Sequence, residues 1–96
     1  MCQDFMNLNY GCKFTYQLLH KKYGNDTSAA FIHLVREIGQ VAFAIETKNA
    51  PVLEAKLTEA SALLQFIAHN YKIDLESNKE IMYSKKLSLS ERRHEQ

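Results

Sequence analysis

A chain of 96 residues with 46% hydrophobic content suits one small domain, burying roughly 60 to 68% of the surface its unfolded form exposes. Its 12 basic and 11 acidic residues leave a net charge of +1, which excludes a global field that would draw the chain to nucleic acid or an anionic membrane. Cys2 and Cys12 are too few for a secreted disulfide framework or a zinc knuckle. No apolar run reaches the ~20 residues of a membrane span, and "MCQDFMNLNYGC" lacks the blocks of a secretory signal, so a cytoplasmic location with reduced thiols is expected.

Glycine and proline are scarce and fall where helices would be punctuated. The first predicted helix runs from about Asp4 to Tyr23, with Leu8, Cys12, Tyr16, Leu19 and Tyr23 recurring every three or four residues. Gly24 ends it. A second starts at Asp26 or Thr27, either a suitable N-cap, and carries Phe31, Leu34, Ile38, Val41 and Ile45 in alternating steps of three and four.

Pro51 fits the first turn of a third helix, where its missing N–H has no partner to lose. Leu53, Leu57, Ala60, Leu64, Ile67 and Tyr71 repeat the same period along it. After "YKIDLES" breaks the pattern, Ser77 and Glu80 have capping-box spacing for a fourth helix, with Asp74 as an alternative cap a turn earlier. Residues 76–96 form this C-terminal helix, with a frayed end at "SLSERRHEQ". The expectation is a single all-α domain over 1–96, an antiparallel bundle of about four helices. A small domain of this kind gains burial by forming a homo-oligomer, dimer or tetramer, through helices two and three.

The short "TKNAP" connection makes those two helices antiparallel neighbours. Position 37 then lies opposite about 61, and position 40 opposite about 58. Glu37 and Gln40 are three apart, as are Lys56 and Glu59, so each pair projects from one helix face toward the other pair. Carboxylates so placed make an oxygen cage suited to Mg²⁺, but here one position is an amide and one an ammonium.

With those residues in place, "LVREIGQVAFAI", a short turn, and "KLTEASALLQFIAHNYKIDLE" resemble the MazG-like all-α nucleoside triphosphate pyrophosphohydrolases. The resemblance covers roughly Tyr23 to Glu76. It implies Mg²⁺-dependent cleavage of a (d)NTP between the α and β phosphates, with the ion held by an E-x-x-E pair on one helix and an E-x-x-D pair on the next. Glu37 matches the first acid and Glu59 the last. Gln40 stands where the second acid is expected, as a weak neutral ligand, and Lys56 stands where the third is expected. Arg36 also replaces an acid often seen just before the motif. The resemblance further implies that basic residues near the end of the chain, Lys85, Lys86 and Arg92 with Lys79 and Arg93 beside them, hold nucleotide phosphates.

A degenerate member of that family is therefore expected, with hydrolysis weak or absent and Mg²⁺ bound weakly or not at all. Lys56 is placed to lie between Glu37 and Glu59 as a fixed substitute for the cation. A silent nucleotide-binding or regulatory module, and a helical interaction protein that kept only the scaffold, are the alternatives. His33 shares a face with Glu37 and can co-ligate a metal or simply hydrogen-bond. Glu91 and His94 have E-x-x-H spacing without the other acids of a di-iron site. Tyr71, Phe66 and Phe43 can stack a base, although aromatics at this spacing also serve a core or an oligomer interface.

Overall fold

A computed structural model describes residues 10–95, with side chains from 14 to 92. Four helices follow in order: α1 Tyr10–Tyr23, α2 Thr27–Glu46, α3 Ala50–Asn70 and α4 Leu75–Glu95. There is no strand among the described residues. The expected all-α architecture is observed; the proposed start of the first helix at Asp4, with Leu8 and Cys2, lies outside the described residues, as does the side chain of Cys12.

Local chemistry explains where the helices begin and end. Asp26 caps α2 by accepting from the Ala29 amide at 3.1 Å, and Asn49 caps α3 by accepting from the Val52 amide at 3.3 Å, with Pro51 in the first turn. Of the two candidates for α4, Asp74 is the cap, accepting from the Ser77 amide at 3.1 Å. Gly24 ends α1 in the left-handed region, φ +57°, its amide bonded to the His20 carbonyl at 2.8 Å.

Two lysines do what Gly24 does. Lys48 has φ 55° and Lys72 φ 57°. After α2, the Asn49 amide reaches Ala44 O at 2.9 Å and the Lys48 amide reaches Ile45 O at 3.1 Å. After α3, the Ile73 amide reaches Ala68 O at 2.8 Å and the Lys72 amide reaches His69 O at 3.0 Å. Both are Schellman closures, which satisfy the last carbonyls of a helix and turn the chain sharply. The first folds α3 back on α2 after only Thr47, Lys48 and Asn49.

α2 and α3 form the main packed pair, and α1 lies chiefly on α3. The core gathers Ala30, Leu34, Ala60, Leu63 and Phe66, with Tyr16, Leu19, Tyr23 and Ile67 packed against it. Asn70 Nδ2 donates to Gly24 O at 3.5 Å, tying the end of α3 to the turn between α1 and α2.

The predicted stripes are only partly inward. On α2, Leu34 is buried and Val41 half-buried, but Phe31, Ile38 and Ile45 are exposed. On α3, Ala60 is buried while Leu57, Leu64 and Tyr71 are exposed. The inward line of α2 instead runs Ala30, Leu34, Glu37, Ala44. Small residues occupy much of the α2 contact line, beside Leu34, while Phe31, Ile38 and Ile45 are turned aside. From Glu76 to Arg92 every residue of α4 is exposed, so α4 packs far less against the other helices than α1, α2 and α3 pack together.

Candidate functional site

The short turn between α2 and α3 fixes which side chains face one another, and it brings Glu37, Lys56 and Glu59 together. Glu37 sits on the inward line of α2, and only 6% of it is exposed. Lys56 Nζ approaches Glu37 Oε1 at 3.2 Å from across the helix pair. The same ammonium donates to Glu59 Oε1 at 3.2 Å, one turn along α3. Lys56 thus stands between the two carboxylates, as the sequence placed it.

On its other oxygen Glu37 meets His33. His33 Nε2 lies 3.2 Å from Glu37 Oε2, and His33 Nδ1 lies 2.7 Å from the Tyr23 hydroxyl. With the imidazole neutral and Glu37 ionised, Nε2–H donates to the carboxylate and Nδ1 accepts from the tyrosine O–H. The result is a polar chain through three helices: Tyr23 on α1, His33 and Glu37 on α2, Lys56 and Glu59 on α3. Sequence reasoning missed Tyr23 as a member, because it was read only as part of the apolar repeat of α1. The available signal was its position directly before the Gly24 turn, which returns the chain beside the first turns of α2.

Burial pushes the Glu37 carboxyl up, but its contacts with Lys56, Glu59 and His33 and the charge of Lys56 outweigh burial and hold it below the ordinary value of 4.5. The hydrogen bond to Glu59, followed by the close contact with Glu37, raises Lys56 above its ordinary 10.5. Each charge stabilises the other.

The other predicted site residues are not part of this cluster. Gln40 is exposed and makes no side-chain hydrogen bond among the described residues. Lys85, Lys86 and Arg92 are exposed on α4, and Lys86 Nζ rests 4.7 Å from the centroid of the Tyr83 ring. None of the three forms an ion pair with the cluster. The three aromatics considered for base stacking are separated: Phe66 is buried in the core, whereas Phe43 and Tyr71 are exposed. His94 lies outside the described side chains.

Mg²⁺ needs near-octahedral oxygen ligands at ~2.0–2.1 Å. Two carboxylates with an ammonium 3.2 Å from each do not offer that set, because the ion and the lysine charge would compete for the same oxygens. Among the described residues no three His, Cys, Asp or Glu side chains converge to hold a metal. Glu37 Oε1 is buried and accepts no well-directed hydrogen bond, so its compensation is the nearby Lys56 charge. A metal does not fit beside Lys56 as it stands. What the arrangement does is orient: it fixes the His33 tautomer and locks three helices around one buried carboxylate.

Comparison with known proteins adds no identity to this geometry: no family model, no curated protein and no solved structure matches the chain.

Proposed function

We propose that the chain is a MazG-like helical protein in which a lysine has replaced the metal of the hydrolytic site, so that Mg²⁺-dependent conversion of (d)NTP to (d)NMP and pyrophosphate is weak or absent. The observation that supports this is Lys56 Nζ, 3.2 Å from both Glu37 Oε1 and Glu59 Oε1. An internal cation at that place gives the hairpin electrostatic closure without an exchangeable ion. It also withdraws the two acids, Glu37 and Glu59, that the resemblance assigns to the metal. Gln40 is left as a neutral oxygen at the edge.

The role this favours is non-catalytic: a nucleotide-binding or regulatory module, or a helical interaction protein. Exposed Lys85, Lys86 and Arg92 on α4 offer phosphate contacts for the first of these, and the many exposed apolar side chains of α2 and α3 favour the second. A thermal-shift panel of nucleoside triphosphates with and without Mg²⁺, followed by a pyrophosphate-release assay, separates the readings. A nucleotide module melts higher with a triphosphate and releases no pyrophosphate. An interaction protein responds to neither ligand. Rapid metal-dependent pyrophosphate release by the natural sequence would overturn the proposal.

A further inference from the structure

The charges of α4 are sorted by side. At about 100° per residue, counted from Leu75, Arg92 falls at about 260°, Lys85 at about 280°, Lys86 at about 20° and Lys79 at about 40°. These four share an arc of about 140°. Glu76, Glu80 and Glu91 fall at about 100° to 160°, so among the described side chains no acid enters the basic arc. Met82 and Leu89, both exposed, lie at about 340° and about 320°, in its middle. All of these side chains are exposed, so neither side is covered by the rest of the fold. Lys79 pairs with Glu76 at 2.9 Å and Lys86 rests on the Tyr83 ring, while Lys85 and Arg92 form no ion pair among the described residues. A net charge of +1 gives the whole chain no attraction to an anionic surface, but separating the two signs on one uncovered helix creates a local one.

We propose that the basic side of α4 docks the protein on an anionic lipid bilayer, with Met82 and Leu89 entering the headgroup region and the surrounding cations meeting lipid phosphates and carboxylates. Each Lys or Arg held near such a surface contributes about fivefold in affinity. The long stems of Lys85, Lys86 and Arg92 cover apolar surface while their charged ends stay in the headgroups. Glu76, Glu80 and Glu91 then face water, away from the lipid charge. This docking is independent of whether the Glu37–Lys56 site takes metal or nucleotide.

Other anionic occupants fit less well. From Lys79 to Arg92 the cations extend over about 20 Å of helix, which suits an array of anions rather than one triphosphate. A nucleic-acid backbone offers such an array, but Met82 and Leu89 at the centre of the arc gain nothing from phosphates, whereas a lipid interface buries them. A groove on an acidic protein holds a helix by apolar anchors at i, i+3, i+4 and i+7. The basic side of α4 supplies only Met82 and Leu89, seven residues apart, too few to seat it.

Flotation of the full chain with vesicles of phosphatidylcholine alone, and of phosphatidylcholine with about one third phosphatidylserine, tests the proposal at low and high salt. The chain should bind only the serine-containing vesicles, and binding should fall tenfold or more from about 0.05 M to about 0.5 M NaCl, as screening shortens the reach of the charges. Lys85→Gln/Lys86→Gln/Arg92→Gln should weaken binding tenfold or more and Met82→Ser/Leu89→Ser about threefold, whereas Glu80→Gln/Glu91→Gln, on the far side, should not weaken it. All of these residues are exposed, and retained helical circular dichroism checks that each variant folds. No binding by the natural chain, equal binding to both vesicles, or unchanged binding by either variant of the basic side would overturn the proposal. Displacement from the vesicles by millimolar tripolyphosphate at constant ionic strength would overturn it in favour of a single triphosphate. Tighter binding of a short DNA duplex, insensitive to Met82→Ser/Leu89→Ser, would overturn it in favour of nucleic acid.

Discussion

Lys56 Nζ lies 3.2 Å from Glu37 Oε1, an atom that is buried and accepts no well-directed hydrogen bond. The charge is therefore what compensates burial of that oxygen. Removing the ammonium leaves an anion in the helix interface with no counter-charge, the costly way to break a buried pair. Lys56→Met should lower the melting temperature and bring the Glu37 carboxyl up toward and above its ordinary value. Adding Glu37→Gln should restore part of the loss, because the stranded charge is gone. Thermal melts of the two single variants and the double variant check this, and a double variant melting below Lys56→Met would sink it.

The Tyr23 hydroxyl is the far end of the same chain, 2.7 Å from His33 Nδ1. Tyr23→Phe keeps the ring packed against the core and deletes only this bond. A loss of about 0.5 to 1.5 kcal/mol is expected, measured by urea unfolding. No change would mean that water replaces the hydroxyl without penalty.

Acid stability follows from two depressed values. Burial, with the positive charge of His20 nearby, holds His69 below its ordinary 6.5, so its neutral form is favoured in the fold. Its contribution is complete above 6.5 and is lost as the pH falls through the folded value. Glu37 is held below 4.5, so its contribution is present above 4.5 and is lost as the pH falls further. Stability should therefore decline in two stages on acidification. His69→Gln should remove the upper stage and Glu37→Gln the lower, in melting temperatures recorded from pH 8 to pH 3. A single stage below 4.5 in the natural sequence would contradict the role given to His69.

Lys48 and Lys72 hold left-handed backbone at the ends of α2 and α3, a conformation that costs a residue with a Cβ about 1 to 2 kcal/mol. Lys48→Gly and Lys72→Gly should each raise stability by about 0.5 to 1 kcal/mol, the relief of strain being partly offset by glycine's greater freedom when unfolded. Gly24→Ala should lower stability, since its φ is +57°. Denaturant midpoints of the three variants decide it; a destabilised Lys72→Gly would show that the lysine side chain has a role of its own.

Much of this architecture is visible in the residues. Asp26, Pro51 and Gly24 announce helix boundaries because capping, first turns and left-handed turns need particular side chains, and the short connection between α2 and α3 is enough to set Glu37 opposite Lys56 and Glu59. The orientation of the apolar stripe was not legible. Ile38 and Leu34 belong to one periodic pattern, yet Leu34 is buried and Ile38 is exposed, because periodicity tells which residues share a face without telling which neighbour that face meets. The left-handed ends at Lys48 and Lys72 were hidden because lysine carries no local signal of that backbone; at Lys48, closure of the α2–α3 hairpin overrides the preference for glycine. Tyr23 joined the polar chain through a turn whose geometry only the folded backbone supplies.

Whether Lys56 stands in for a metal is tested most directly by calorimetric titration of Mg²⁺ into the natural chain and into Lys56→Glu. The substitution takes the set Glu37, Gln40, position 56 and Glu59 from one net negative charge to three. The account predicts no measurable binding at millimolar Mg²⁺ by the natural chain and at least a tenfold gain in affinity for the variant. Tight binding by the natural chain, or no gain on substitution, would contradict it.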